Sequence, residues 1–174
     1  NACGHCPQLP HPSGKDLSHQ VWKQKEKVYR QGQITFVACS QWLATQARMA
    51  SLSQGHRVVS IPNAIDTQVF RPMDRRAARE ALGLPTDPNL KIVLFVAQQI
   101  TNVRKGGPYL IEAFQKLLAA HPDYRHNTAL LILGGAAEQY ISSFDVPVFP
   151  VGYTEEVERI VQTYNAADLF VIPS

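Results

Sequence analysis

The sequence predicts an α/β protein built on a doubly wound parallel sheet. Four apolar runs have the length and residue types of short strands, over residues 91–97, 129–133, 146–151 and 169–172. Helical segments over 108–119 and 155–165 alternate with them. Strands that are apolar on both faces and alternate with helices are typical of a parallel sheet covered by helices on two sides.

Length and composition are those of an ordinary globular domain. The chain has 174 residues, of which 45% are hydrophobic and 18% charged. These values exclude a disordered, collagen-like or disulfide-rich protein. The net charge of +3 is too small to indicate a nucleic-acid partner. Because no apolar run approaches the ~18 residues of a membrane span, we expect a cytoplasmic protein.

The first predicted helix is basic. After a loop over residues 1–14 that is rich in Pro, Gly and His, Asp16 or Ser18 can cap a helix extending to about Arg30. The charged residues of this segment are Lys15, Lys23, Lys25, Lys27 and Arg30, against Asp16 and Glu26. A solvated helix face is the simpler explanation. Contact of this helix with a partner or a membrane surface is the alternative.

The segments up to residue 82 predict two short strands and two further helices. They are a strand over 34–39, a helix over 41–52, a strand over 57–61 and an Ala-rich helix over 75–82. We expect the strand over 34–39 to be buried, since it is rich in β-branched and aromatic residues. Ser40 is the expected N-cap of the helix that follows. The expected core-facing residues of that helix are Trp42, Leu43, Ala47 and Ala50.

Cys3 and Cys6 form a CxxC motif, and Cys39 brings the cysteines to three. An odd count favours a reducing compartment. A redox-active CxxC needs a strand before it and a helix starting at its first cysteine, whereas only two residues precede this one and prolines follow it. A zinc site would need a full tetrahedral ligand set, and no second CxxC or HxxxH motif supplies one. We therefore expect a terminal loop and no metal.

Three polar or Gly-rich segments follow the predicted strands, over residues 98–107, 134–137 and 152–156. Ligands of doubly wound sheets bind at the carboxyl ends of the strands. The first segment places Arg104 and Lys105 next to two glycines just before a helix, which is the outline of an anion site. The P-loop and dinucleotide motifs are both missing. Taken alone, a solvent-facing lysine beside a helix-entry glycine explains the first segment more simply.

Several segments form an ordered set of motifs along the chain. They span residues 61–66 with 69–72, 104–107, 131–135, 152–156 and 166–174. In this order they resemble the retaining glycosyltransferases of family 4, which have the GT-B fold and use nucleotide-sugar donors. Residues 3–9 also resemble a segment of one bacterial branch of that family. The resemblance implies transfer of a sugar with retention, as in bacterial polysaccharide biosynthesis.

The resemblance also implies roles for single residues. Lys105 would neutralise the donor diphosphate and stabilise it as a leaving group, which makes it the catalytic residue. The other donor-binding residues would be Gln99, Arg104, Gly106, Gly135, Tyr153 and Thr154. The backbone around Tyr153 and Thr154 would contact the nucleobase, and Gly135 would keep the sugar pocket open. Gln99 stands where the family usually has an arginine. No paired carboxylate motif indicates a metal, so the nucleotide-sugar is the substrate and no cofactor is expected.

The resemblance divides the chain in two. Residues 1–66 correspond to the C-terminal part of the N-terminal acceptor domain with its linker, and residues 67–174 to a partial Rossmann-like nucleotide-sugar-binding domain. The family's paired glutamates would follow Ser174, so we expect a fragment that is inactive alone. The strand over 169–172 would then lack a neighbour, which predicts a homodimer or exchange of segments between chains.

The expected partners are the nucleotide-sugar and a sugar or lipid-linked acceptor. The expected location is the cytoplasm, with peripheral contact at the inner membrane face as a further hypothesis. Two alternatives belong to other functional classes. A non-catalytic nucleotide-binding module would keep Lys105 and the glycines without sugar preference. An interaction scaffold would instead use the basic helix between Lys15 and Arg30 as its working surface.

Overall fold

A computed structural model of the chain describes residues 3–173. Ser174, the last residue of the motif over 166–174, lies outside the described residues. The chain divides into two compact units, Asn1–Ile65 and Asp66–Ser174.

The first unit contains two helices and a two-stranded parallel sheet. In chain order its elements are α1 (Leu17–Gln31), β1 (Thr35–Ala38), α2 (Gln41–Met49) and β2 (Arg57–Ser60). Both predicted N-caps are confirmed. The Asp16 carboxylate accepts a hydrogen bond from the His19 N–H at 3.2 Å, and the Ser40 hydroxyl accepts one from the Leu43 N–H at 3.1 Å. These side chains satisfy N–H groups that the first helical turn leaves free.

The predicted burial of β1 and α2 is partly wrong. Phe36 packs edge-on against the rings of Tyr29 and His56, whereas Val37 on the opposite face of β1 is exposed. Trp42, an expected core residue, is 70% exposed, and α2 buries Ala44 instead. Successive side chains of a strand point to opposite faces of the sheet. Because other residues cover only the face that carries Phe36, Val37 on the opposite face is left in solvent.

The second unit is the doubly wound sheet that the sequence predicts. Its elements are α3 (Arg75–Ala81), β3 (Lys91–Gln99), α4 (Gly107–Ala120), α5 (Tyr124–Asn127), β4 (Thr128–Gly135), β5 (Val148–Gly152), α6 (Val157–Ala166) and β6 (Leu169–Val171). All four strands are parallel, in the spatial order β5-β4-β3-β6. Short 3-10 helices over Val103–Lys105 and Ala137–Ser143 were not predicted, and neither was α5.

Helices cover both faces of this sheet. On one face Phe95 of β3 packs with Phe114 and Leu118 of α4. On the other face Leu94 packs in a cluster that includes Ala78 of α3 and Ala166 of α6. The chain runs from β3 through β4 to β5 and then crosses back to place β6 on the other side of β3. The strand order therefore reverses between β3 and β6, which is where such sheets bind ligands.

A buried ion pair closes the amino end of the sheet. The Asp168 carboxylate accepts from Arg79 Nη2 at 2.7 Å, from Arg75 Nη1 at 2.6 Å and from the Ile92 N–H at 2.8 Å. The Arg79 side chain is only 4% exposed and also donates to the carbonyls of Ala166, Asp87 and Leu90. Full pairing of this kind is what a buried charge requires. The network ties α3 to the first residues of β3 and to the turn before β6.

As the sequence predicts, β6 lies at an edge of the sheet, with β3 as its only partner among residues 3–173. Leu169 and Phe170 are exposed there. Pairing of this edge with a second chain stays a prediction. Sedimentation velocity tests it, and we expect the sedimentation coefficient to rise with protein concentration. A monomer at all concentrations would contradict it.

Candidate functional site

A cavity opens at the carboxyl ends of the strands in the second unit. Its volume is about 160 Å³. The residues that line it include Gln98 of β3, Gly134 of β4, Tyr153 and Thr154 after β5, and Ile160 and Tyr164 of α6. All three predicted loop segments thus contribute to one cavity, the first of them through Gln98 alone. Gln98, Ile160 and Tyr164 were not predicted as site residues.

Gly134 is the glycine whose small size this region requires. Its φ of +148° is unusual for a residue with a side chain, and a Cβ atom there would lie 1.7 Å from the carbonyl oxygen of Ala97. The end of β4 can therefore approach β3 only with glycine at this position. Gly135 is the register partner of Gln99, and a Cβ on it would lie 3.3 Å from the Gln98 carbonyl. The strict steric requirement thus falls one residue before the predicted Gly135.

Two side chains of the loop after β5 form hydrogen bonds to other residues of the same loop. The Tyr153 hydroxyl donates to Glu155 Oε1 at 2.9 Å, and the Glu156 N–H donates to the Thr154 hydroxyl at 3.1 Å. The hydrogen bond to the Glu155 carboxylate, together with its charge, raises the pKa of Tyr153. No hydrogen bond within residues 3–173 uses the main-chain N–H or C=O of Thr154. A donor and an acceptor at the cavity wall are therefore available to a ligand.

The turn between β3 and α4 carries two cations without acidic partners. Within residues 3–173, no carboxylate lies within 4.0 Å of the side-chain nitrogens of Arg104 or Lys105. Lys105 is half-buried and Arg104 is exposed. Asn102 Oδ1 accepts from the Arg104 N–H at 3.1 Å and so fixes the turn. The two charges lie directly before the positive end of the α4 helix dipole.

Gly106 brings this turn to the point where the strand order reverses. Its φ of +76° is left-handed, and a Cβ there would lie 2.8 Å from Pro173, which follows β6. Gly107, the first residue of α4, is buried. The absence of a side chain at Gly106 thus lets the turn pack directly against Pro173.

The predicted site residues thus form three groups along one edge of the sheet. Tyr153 and Thr154 line the cavity. Arg104, Lys105 and Gly106 form the cationic turn and do not line the cavity. Gln99 and Gly135 are paired at the ends of β3 and β4. An apolar cavity and a cationic turn on the same edge of the sheet suit an elongated ligand with an aromatic end and an anionic part.

The described residues outside this edge show no metal centre. Residues 3–173 contain no group of three or more His, Cys, Asp or Glu side chains that could hold a metal ion. Cys3, Cys6 and Cys39 are free thiols. None of the helices in the described part of the chain has the length and apolar character needed to cross a membrane.

The fold is that of a doubly wound α/β protein, a class that binds ligands at the carboxyl ends of its strands. Residues 90–174 match the family model described as Glycosyl transferases group 1. The chain resembles, in structure, the sucrose-phosphate synthase of Thermosynechococcus elongatus, with a TM-score of 0.64 and 22% identity over 92% of this chain and 41% of that one.

Curated relatives carry names of the same kind. D-inositol 3-phosphate glycosyltransferase 2 of Catenulispora acidiphila is 32% identical over 133 residues, which are 68% of this chain and 29% of the relative. D-inositol 3-phosphate glycosyltransferase of Segniliparus rotundus is 27% identical over 164 residues, which are 86% of this chain and 35% of the relative. The chain thus spans about a third of the length of these relatives. Together, the matches support the GT-B glycosyltransferase class that the motifs indicate.

Proposed function

We propose that this chain supplies the donor-binding part of a retaining glycosyltransferase of family 4. A nucleotide-sugar is the proposed donor, with its base in the cavity at Thr154 and its diphosphate at the cationic turn. The observation that carries this proposal is the joint presence of the cavity and the unpaired cations Arg104 and Lys105 on one edge of the sheet. A nucleoside diphosphate has an aromatic end and an anionic end, so it matches both parts.

The base is proposed to bind mainly through the main chain. Thr154 offers an N–H and a C=O, and the loop holds both in place because the Thr154 hydroxyl and the Tyr153 hydroxyl are already bound within it. The ring of Tyr164, on the facing helix α6, packs edge-on against Phe170 at 5.5 Å between centroids. It is a rigid aromatic surface against which a base can pack.

Lys105 is proposed to act on the leaving group. When the bond between sugar and diphosphate breaks, negative charge grows on the diphosphate, and a fixed cation stabilises that charge more than it stabilises the intact donor. The α4 N-terminus adds unpaired N–H groups in the same place. Gln99 at the end of β3 contributes a neutral amide to the donor site, and Gly135 leaves room for the sugar.

We propose that complete sugar transfer is carried out by a protein as long as these relatives. Within such a protein, this chain would supply the binding of the donor. We propose a hexosyl donor and a sugar or lipid-linked acceptor. The names of the relatives add D-inositol 3-phosphate to the acceptors worth assaying. Because those relatives are named as transferases, sugar transfer is favoured over a non-catalytic nucleotide-binding module.

Isothermal titration with UDP, GDP and ADP tests the donor site. We expect one of the three nucleotides to bind. Lys105→Ala should lower the affinity for that nucleotide by about 10- to 100-fold, which is the effect of losing one charged hydrogen bond. The matched control is Lys116→Ala on α4, because this exposed lysine pairs with Glu112 at 2.7 Å away from the turn. Equal affinity for the two variants, or no binding of any nucleotide, would contradict the proposal.

A second titration separates the transferase donor site from the non-catalytic module. Nucleotide-sugars carrying the preferred base are compared with the free nucleoside diphosphate. The transferase predicts affinities that depend on which sugar is attached. Identical affinities for all sugars would favour the module.

A further inference from the structure

The cavity at the carboxyl ends of the strands is mostly apolar, with one unused amide. Hydrophobic side chains of β3, β4 and α6 form much of its lining. The hydroxyls of Tyr153 and Thr154, which also line it, are already hydrogen-bonded within the loop after β5. The side-chain amide of Gln98 is different, because none of the hydrogen bonds among residues 3–173 uses it. Gln98 therefore brings both a donor and an acceptor to the cavity.

A bulge in β3 lies at Gln98. Along the paired strands, Val96 is the register partner of Leu133, and Gln99 is the register partner of Gly135. The chain thus advances three residues along β3 where it advances two along β4, so β3 carries one extra residue. An extra residue interrupts the alternation of side chains, and strands use such bulges to re-aim a side chain next to a binding site.

The main chain on both sides of Gln98 is held in place. Before it, Ala97 is buried in the core cluster that α4 covers. After it, the Ile100 N–H donates to the Gly135 carbonyl at 3.3 Å and so keeps the end of β3 against β4. The backbone position of Gln98 is therefore fixed before a ligand binds, and only its side chain has to be ordered.

We propose that Gln98 is a specificity-determining residue whose amide hydrogen-bonds the edge of the nucleobase. This inference rests on the proposed function, because it takes the cavity to be the site of the base. An amide offers a donor and an acceptor side by side, and the edge of a base presents a complementary pair. Gln98 adds a side-chain contact to the main-chain contacts proposed for Thr154.

The surroundings of Gln98 favour the base over the diphosphate as its ligand. The cavity of about 160 Å³ is smaller than the roughly 300–1,000 Å³ of pockets that enclose whole ligands, so it suits a single ring system. Arg104 and Lys105, the proposed diphosphate ligands, do not line it. In an apolar cavity, a base that leaves the amide unpaired loses affinity, because a buried polar group without a partner is costly.

Isothermal titration of Gln98→Met tests the contact. Methionine has nearly the length of glutamine but lacks the donor and the acceptor of the amide. We expect the affinity for the preferred nucleotide to fall by about 10-fold, which is the effect of losing two neutral hydrogen bonds. The matched control is Gln115→Met, because this exposed glutamine of α4 does not line the cavity. Its affinity should equal that of the original chain.

Gln98→Glu tests whether the base is the part that Gln98 contacts. This variant replaces the NH₂ donor with an oxygen that only accepts, which disfavours a keto oxygen on the base and favours an amino group. UDP and CDP differ in this way at the pyrimidine ring, and GDP and ADP at the purine ring. We expect the ratio of keto-nucleotide affinity to amino-nucleotide affinity to fall by about 10-fold or more. The ratio compares two ligands on one variant, so a loss of stability does not change it.

The outcomes separate this inference from the proposed function. If Gln98→Met binds the nucleotide as tightly as Gln115→Met while Lys105→Ala does not, the donor site stands and the role of Gln98 is wrong. An unchanged keto-to-amino ratio in Gln98→Glu would overturn the assignment of Gln98 to the base. If the original chain binds no nucleotide, the proposed function and this inference fail together.

Discussion

The two ends of the four-stranded sheet use cations in different ways. At the amino end, the Arg79 guanidinium is buried and bound to the Asp168 carboxylate and to three carbonyls. At the carboxyl end, Arg104 and Lys105 lie next to the α4 N-terminus, and no carboxylate in the described part of the chain pairs with them. The same kind of charge is fully satisfied within the protein at one end and left open at the other.

This difference separates stability from binding. A buried charge contributes to folding only while all its partners are present, so substitutions at the amino end should lower the free energy of unfolding. An accessible cation contributes little to folding, so substitutions at the cationic turn should change ligand affinity alone.

The largest effect is expected at Asp168. Asp168→Ala leaves Arg79 buried without its carboxylate, which should lower the free energy of unfolding by about 3 kcal/mol or more. The control is Arg75→Ala, which removes the more exposed partner of the same carboxylate and should cost about 1 kcal/mol or less. Urea denaturation of both variants measures the difference. Equal stability of the two would refute the structural role assigned to this pair.

The next largest effect on stability is expected at Gly134, at the carboxyl end of the sheet. Gly134→Ala would place a Cβ against the Ala97 carbonyl and should cost about 2 to 3 kcal/mol by thermal or urea denaturation. Gly152→Ala is the matched control, because its φ is +80° but no atom lies within 4 Å of the added Cβ. Only the left-handed backbone cost of about 1 kcal/mol should remain there. A Gly134→Ala variant no less stable than Gly152→Ala would contradict the close approach of β3 and β4.

A smaller effect is expected at the rim of the cavity. Tyr153→Phe removes the hydrogen bond to Glu155 and should loosen the loop that presents Thr154. We expect nucleotide affinity to fall a few-fold with little change in stability. Titration calorimetry on Tyr153→Phe and on Tyr109→Phe, an exposed tyrosine of α4, checks this. Unchanged affinity in Tyr153→Phe would show that this bond does not organise the site.

The smallest effect concerns pH and the N-terminal loop. Hydrogen bonds from the Ser18 hydroxyl and from main-chain N–H groups lower the pKa of Asp16. A lowered carboxylate pKa stabilises the loop above the ordinary value of about 4, and this contribution is lost as the pH falls through the lower pKa of the folded state. Amide chemical shifts of Cys6 and His19 should therefore stay constant as the pH falls through about 4, the ordinary pKa of an aspartate, and change only at more acidic pH. In Asp16→Asn the same shifts should not titrate, and an identical titration would exclude Asp16 as its source.

The strands of the second unit could be predicted because both faces of a parallel sheet are apolar. Their order also places the loops after β3 and β5 at one edge of the sheet, whereas the roles of Lys105 and Tyr153 in a site stay predictions from the family resemblance. The start of α6 was two residues off, because the Thr154 hydroxyl binds the Glu156 N–H and so delays the helix.

Other features depend on contacts that a single sequence does not reveal. Gln98 and Tyr164 line the cavity because β3 and α6 meet there, although the spacing of Ile160 and Tyr164 on one helix face was a usable signal. The exposure of Trp42 depends on which faces of the first unit are covered. Motif spelling could not show that Gly134, rather than Gly135, has the stricter steric requirement.

The most direct test of the account measures stability and nucleotide affinity together for Lys105→Ala and Arg75→Ala. Lys105→Ala should keep the unfolding free energy within about 0.5 kcal/mol of that of the original chain and lose about 10-fold or more in affinity for the preferred nucleotide. Arg75→Ala should keep that affinity. If Lys105→Ala binds the nucleotide as tightly as the original chain does, the cationic turn is not the diphosphate site and the central claim is wrong.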